Sequence, residues 1–349
     1  MATDTTGSEI LDIVRHEAEW KSSRGLRYDI VPWRLYQKAK QLFWDPARID
    51  FSKDREDYEA MDETQRRTIA FFARGFMVGE ESVTLDIVPL IVGVADEGRV
   101  EEAIYLTTFA MEEAKHVDFF RRWFDAVGED PQRLYEEGQQ RRKEMGVERD
   151  PTAGLFESEL PRVMRRVLVD RSPKAFLDCG VTYNQFIEGC LAISGYKLWG
   201  ELFKRWKVLP GLQHGLSLVR RDEGRHITYG TYLCRRILQE SPELMEFGKA
   251  RMYELADQFF GQFRFPKEAV SSLFDESGRF LTEKAQPFAD AFNVDIGEIE
   301  FISSFIKNGY DQVERRIQVM EKALQLSDEE AFLGEGSEAA EIELETVEA

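Results

Sequence analysis

The sequence predicts an all-α protein built on a four-helix core. Three observations point there. Proline is scarce in two long windows, with only Pro89 between Glu63 and Asp130 and only Pro210 between Lys174 and Gln239, so each window can run as helix. Apolar residues recur in them at helical spacing, as in Phe72, Phe76, Met77, Val83 and Ile87. Finally, the pattern Glu-x-x-His occurs twice, as Glu113 to His116 and as Glu223 to His226, and each copy follows a lone glutamate on an apolar stripe, Glu80 and Glu188. With 349 residues the chain has room for two domains or one large bundle.

Residues 1–24 are polar apart from Ile10, Leu11, Ile13 and Val14 and form an N-terminal extension. From residue 25 the pattern tightens through Val31, Trp33, Leu35 and Tyr36 to Phe43-Trp44-Asp45-Pro46, where Trp44 anchors the chain against the core. Asp62 is a candidate N-cap for the first long helix, which carries Glu80. A turn at Asp96-Glu97-Gly98 leads to the second, which presents Leu106, Phe109, Glu113, His116 and Phe120 on one face. Gly128 to Pro161 is polar and reads as a connection with short helices. A third helix runs from about Pro173 to Trp206 with Glu188, and Pro210 opens the fourth, which holds Glu223 and His226. Ser241 to Phe265 is a further amphipathic helix, and Ile299 to Leu326 gives one or two more with a break at Gly309. The domain reading is a metal-binding bundle over 25–300, a C-terminal helical segment over 301–326, and a tail over 327–349. That tail has nine acidic and no basic residues and is expected to be disordered.

Spacing decides how the helices meet. In Glu-x-x-His the second side chain is turned by about 300°, so the carboxylate and imidazole share one face. Glu80 precedes Glu113 by 33 residues and Glu188 precedes Glu223 by 35, so the pattern is an internal repeat. With a turn midway, each antiparallel pair brings its ligands to one height. A Glu and a His from each of two helices, plus one Glu from each of two others, make up the ligand set of a di-iron or di-manganese carboxylate bundle. Four buried carboxylates would be severely penalised without cations; two divalent ions balance their charge. Oxygen-rich donors with only two imidazoles suit Fe or Mn better than Zn or Cu.

Composition excludes several classes. A net charge of −19, from 46 basic and 65 acidic residues, argues against nucleic acid or an anionic membrane as partner. The longest apolar run, Ile87 to Ala95, is too short to span a bilayer. The N-terminus lacks a signal-peptide pattern, so a cytoplasmic protein is expected. Cys179, Cys190 and Cys234 show no Cys-x-x-Cys spacing and read as reduced core thiols. His16 and His214 stand in no comparable pattern and read as surface residues.

The motifs Phe43-Trp44-Asp45-Pro46, Gly79-Glu80-Glu81-Ser82-Val83-Thr84, Glu112-Glu113-Ala114-Lys115-His116, Val181-Thr182-Tyr183-Asn184 with Glu188-Gly189, and Asp222-Glu223-Gly224-Arg225-His226 resemble the ligand-binding oxidases homologous to the ribonucleotide reductase small subunit. The resemblance covers about Gly25 to Phe265. It implies a ferritin-like fold with one Mn and one Fe, a di-iron pair being the alternative. Manganese would sit with Glu80, Glu113 and His116, and iron with Glu188, Glu223 and His226. It further implies a long-chain fatty acid, a small hydrophobic carboxylate ligand, bridging the metals; reaction with O2; a Val83–Tyr183 ether cross-link; and a homodimer. Asp222 resembles the aspartate that accepts a hydrogen bond from a ligand histidine, here His116, with Trp44 beyond it on an electron path.

On an α-helix Val83 lies about 60° from Glu80 and can face the metals, whereas Tyr183 lies about 140° from Glu188 and must reach in from the side. Gly189, Ala192 and Gly195 either leave room for an acyl chain or permit close helix packing. Two rival functions are a radical-generating reductase subunit and a non-catalytic lipid- or metal-binding bundle. Against the first, Phe120 stands where the common radical tyrosine sits, and residues 327–349 contain no tyrosine. Against the second stands the implied Val83–Tyr183 pair.

Overall fold

The computed structural model describes residues 23, 25–144, 153–262, 267–292 and 295–325. The N-terminal extension, apart from Ser23, the acidic tail and His16 lie outside these. The helices in chain order are α1 (Val31–Gln41), α2 (Ser52–Ala60), α3 (Glu63–Asp86), α4 (Val88–Asp96), α5 (Val100–Val127), α6 (Pro131–Glu144), α7 (Leu160–Arg166), α8 (Pro173–Gly180), α9 (Ile193–Trp206), α10 (Pro210–Glu240), α11 (Met245–Phe260), α12 (Lys267–Ser272), α13 (Thr282–Phe292) and α14 (Ile296–Ala323). Among the described residues the extended pairing is one isolated bridge, Phe274 to Phe280.

Helix ends follow local chemistry. Asp62 and Gln65 form a reciprocal capping box at the start of α3. Apolar spacing predicts a helix that continues towards the turn at Asp96; it ends instead at Asp86, and Pro89 lies in the first turn of α4, since proline cannot sit inside a helix without losing a hydrogen bond. Gly98, at φ +74°, turns the chain into α5, and Gly128, at φ +73°, closes α5 in the left-handed region. α10 begins at Pro210 after Leu209, itself left-handed at φ +62°. Its first amides are satisfied from another helix: Gly211 N and Leu212 N each donate to the Asp54 carboxylate at 2.7 Å.

The four core helices are α3, α5, the run from α8 to α9, and α10. The middle of that third run, Val181–Ala192, is a π-helix. α1 leans on α5 and α10, while α11 and α14 pack against the π-helical segment. The core has two apolar halves, one rich in Tyr105, Phe109, Phe176 and Tyr229, the other in Phe119, Phe120, Trp123 and Trp199. On α3, α5 and α10 the change from one half to the other falls at the polar residues: between Ala73 and Val83, between Phe109 and Phe119, and between Val219 and Tyr229. A single ionisable layer therefore cuts the core across.

α14 is one unbroken helix, contrary to the break expected at Gly309. That glycine is buried, and a Cβ there would collide with the Phe260 ring, so its small size serves close packing of α11 on α14. All three cysteines are free and buried, and His214 is exposed.

Candidate metal centre

The polar layer gathers Glu80 from α3, Glu113 and His116 from α5, Glu188 from the π-helical segment, and Glu223 and His226 from α10. All six are buried, the most exposed being Glu80 at 7%. Candidate ligand atoms of Glu80, Glu113, His116 and Glu223 lie within 4.8 Å of one another, as do those of Glu113, Glu188 and His226. Each histidine turns Nδ1 inward. His116 Nδ1 lies 3.1 Å from Glu80 Oε2, and His226 Nδ1 lies 3.6 Å from Glu188 Oε1.

Two carboxylates face both histidines. Glu113 places Oε2 at 3.5 Å from His116 Nδ1 and Oε1 at 3.1 Å from His226 Nδ1. Glu223 is 3.7 Å from each imidazole, through Oε1 to His116 and Oε2 to His226. Glu113 thus belongs to both groups of candidate ligand atoms, Glu223 lies between the two imidazoles, and Glu80 and Glu188 stand at the His116 and His226 ends.

The residues fit a cation pair. Glu113 Oε2, Glu188 Oε1 and His226 Nδ1 are buried without a hydrogen bond, which is costly for polar atoms unless another ligand takes them up. Burial pushes the carboxyls of Glu80, Glu188 and Glu223 above the usual range. For Glu113 burial acts the same way, but the imidazoles of His226 and His116 outweigh it and hold that carboxyl low. Burial works against both imidazolium forms, yet Glu80 chiefly for His116 and Glu113 chiefly for His226 push them up.

These directions fix a pH dependence. Groups with raised values contribute stability to the metal-free fold at low pH and lose it as pH rises through those values, whereas Glu113 contributes above its ordinary range. Metal ions must displace the shared protons, so binding strengthens with pH. The gap in Tm between metal-loaded and metal-free protein is expected to widen from about pH 6 to about pH 8. Anaerobic melting curves at both values check this, and a narrowing gap would contradict it.

Outer hydrogen bonds orient the imidazoles across helices. His116 Nε2 meets Asp222 Oδ2 of α10 at 3.2 Å, and His226 Nε2 meets Glu112 Oε2 of α5 at 3.0 Å. Asp222 Oδ2 also accepts from Trp44 Nε1 at 2.7 Å, and the Trp44 ring stacks over His116 with centroids 6.2 Å apart. Lys115 Nζ lies 2.7 Å from Asp222 Oδ2, and Arg225 pairs with both Asp222 and Glu112. Asn184 Nδ2 donates to Glu188 Oε2 at 2.9 Å; it is seated in space that a side chain at Gly230 would fill.

Helical spacing alone does not single out Glu112, Lys115, Arg225 and Asn184 as members of the site. The signal for the first three lay in the repeat itself, which is five residues long: acidic, Glu, small, basic, His.

Tyr183 is fully buried, and its hydroxyl donates to Glu113 Oε1 at 3.0 Å. The sideways approach expected for it assumed α-helical geometry. In a π-helix the i→i+5 ladder places residues five apart on successive turns of nearly one face, and Tyr183 and Glu188 are five apart. Val83 lies in the same apolar half as Tyr183. Gly195 and Gly189 both lie against neighbouring side chains. The Phe76 ring comes within 2.5 Å of a Cβ built at Gly195, and Arg316 within 3.2 Å of one at Gly189. Ala192 is half-buried against the aromatic half of the core.

Residues 27–261 match the family model of the ribonucleotide reductase small chain. The chain belongs to that family. Within it, the chain is similar to solved R2-like ligand-binding oxidases. A variant with an aerobically reconstituted Mn/Fe cofactor is 30% identical, with 87% of this chain and 98% of that chain covered at a TM-score of 0.69. The oxidase from Sulfolobus acidocaldarius is 31% identical, with 90% and 98% covered at 0.68. Another variant, with an Fe/Fe cofactor, is 30% identical, with 90% and 100% covered at 0.69. The fold is therefore the ferritin-like one of this family, with a buried carboxylate–histidine cluster able to hold metal. No helix among the described residues is long and apolar enough to cross a membrane.

Proposed function

We propose that the protein is an oxygen-activating oxidase holding one Mn and one Fe, with Glu80, Glu113, His116, Glu188, Glu223 and His226 as ligands. The reading includes a bound long-chain fatty acid, a Val83–Tyr183 ether cross-link and a homodimer. When bound, the metal pair supplies dioxygen activation and the oxidising capacity for an unactivated C–H bond. The observation that carries the reading is the hydrogen bond from Tyr183 to Glu113, the carboxylate shared by both positions.

Forming the ether breaks one C–H bond of Val83 and the O–H bond of Tyr183, makes one C–O bond, and passes two electrons and two protons to dioxygen. Burial and the nearby Glu113 carboxylate keep the Tyr183 phenol well above its ordinary pKa. It therefore stays protonated until it is oxidised, with its hydrogen held at Glu113 Oε1. Trp44, at 8% exposure, and Asp222 give His116 a hydrogen-bonded path towards the surface for electrons. Phe120 packs on Phe76 with centroids 6.0 Å apart and offers no hydroxyl, which speaks against a subunit that stores a tyrosyl radical at this position.

Peptide mass spectrometry before and after aerobic loading with Mn²⁺ and Fe²⁺ tests the reaction. Loss of two hydrogens in a linked Val83–Tyr183 peptide pair is expected, and full metal occupancy with the two peptides unlinked would refute it. Solvent extraction followed by lipid mass spectrometry tests the fatty acid separately.

A further inference from the structure

We propose that Arg225 is a positioning residue shared by both metal positions, a clamp through which one guanidinium fixes both ligand histidines. The inference rests on the six-residue metal set and goes beyond it. Nη2 of Arg225 pairs with Asp222 Oδ1 on its own helix and with Glu112 Oε1 on α5. A terminal guanidinium nitrogen carries two hydrogens, one for each carboxylate. The second oxygens of those carboxylates, Asp222 Oδ2 and Glu112 Oε2, hold His116 Nε2 and His226 Nε2. The connection thus runs from one imidazole through Asp222, Arg225 and Glu112 to the other.

The arrangement is closed and buried. Arg225 is 5% exposed, Glu112 1% and Asp222 0%. Nη1 donates to the Arg221 carbonyl at 3.2 Å, which ties the guanidinium to α10. Lys115 does not duplicate the clamp: it pairs with Asp222, whereas Arg225 pairs with both Asp222 and Glu112 and so joins the two carboxylates. Lysine at 225 would keep the charge but fall one bond short of the Nη2 site. In the repeat, position four is basic in both halves, Lys115 and Arg225, and the longer, forked side chain is the one that spans both carboxylates.

The test is anaerobic titration with Mn²⁺ and with Fe²⁺ separately, so that no oxygen chemistry intervenes, with occupancy at each position read by anomalous scattering. Arg225→Leu is expected to weaken both positions by about 10- to 100-fold, the range for lost outer partners of metal ligands. Arg225→Lys should remain impaired at both, and Glu112→Gln should weaken the His226 position alone. The melting temperature and helicity of the metal-free variants separate a binding defect from misfolding; should Arg225→Leu not fold, Arg225→Lys and Glu112→Gln carry the test. Full rescue by lysine, a loss confined to one position in a folded Arg225→Leu, or an equal loss at both in Glu112→Gln would overturn the clamp. Failure of the wild-type protein to bind two ions would instead refute the metal reading beneath it.

Discussion

Replacing Glu113 with glutamine is expected to abolish tight binding at both metal positions at once. Its two oxygens lie 3.5 Å from His116 Nδ1 and 3.1 Å from His226 Nδ1, so neither position is complete without it. Glutamine keeps the shape but offers one oxygen instead of two and turns an amide towards a cation. Four carboxylates balance two divalent ions; three leave a positive charge in a buried layer, where it is costly. A loss of about 100-fold at each position corresponds to about 2.8 kcal/mol per position, and the stabilisation that metal confers on the fold should shrink by about twice that, since both positions contribute. Glu80→Gln is the control, because Glu80 contacts His116 and is expected to impair that side first. Metal-to-protein ratios after anaerobic loading and desalting, with the metal-induced shift in Tm, read the outcome. Two ions retained at wild-type affinity in Glu113→Gln would remove Glu113 from the shared role.

Much of this site was legible because its signal is periodic. Ligands on long helices must recur with helical spacing, and Glu80, Glu113, Glu188 and Glu223 announce themselves by interrupting apolar stripes. What escaped was whatever depends on departure from the regular helix or on contacts between helices. The angle between Tyr183 and Glu188 cannot be read until the π-helical hydrogen bonding of Val181–Ala192 is known, since a change of ladder rotates every later side chain. Glu112 and Arg225 look like an ordinary solvated face on a single helix. Only the packing of α5 on α10 turns them into partners of each other and of His226.

The C-terminal helix was set apart for a similar reason. It follows the family-matched stretch, yet Arg316 reaches back from α14 to donate to Gln185 Oε1 at 2.8 Å and Thr231 Oγ1 at 2.6 Å. It thereby braces the π-helical segment against α10. The bundle reading over 25–300 and the segment over 301–326 are accordingly joined by buried hydrogen bonds, which no periodicity in the sequence reports.

Tyr183→Phe is expected to separate metal binding from oxidation completely. The substitution removes one oxygen and leaves the aromatic ring stacked on Phe109, whose centroid is 5.6 Å away, so packing should be preserved. A hydrogen bond to a charged acceptor contributes about 1.5–3 kcal/mol, but the bond from Tyr183 to Glu113 is already made in the metal-free fold and is expected to persist on loading. Its contribution largely cancels in the binding equilibrium, and metal affinity should change by less than about tenfold, or about 1.4 kcal/mol. The covalent outcome has no such cancellation: without the phenolic O–H there is no oxygen to join to Val83 and no second hydrogen to surrender. Aerobic loading should therefore leave the mass of the Val83 and Tyr183→Phe peptides unchanged while the metal ratio stays at two. If the two-hydrogen loss at Val83 persists in the variant, the oxygen of the new bond comes from another group and Tyr183 is a core residue; if metal is lost together with the cross-link, the hydroxyl belongs to the binding site rather than to the reaction.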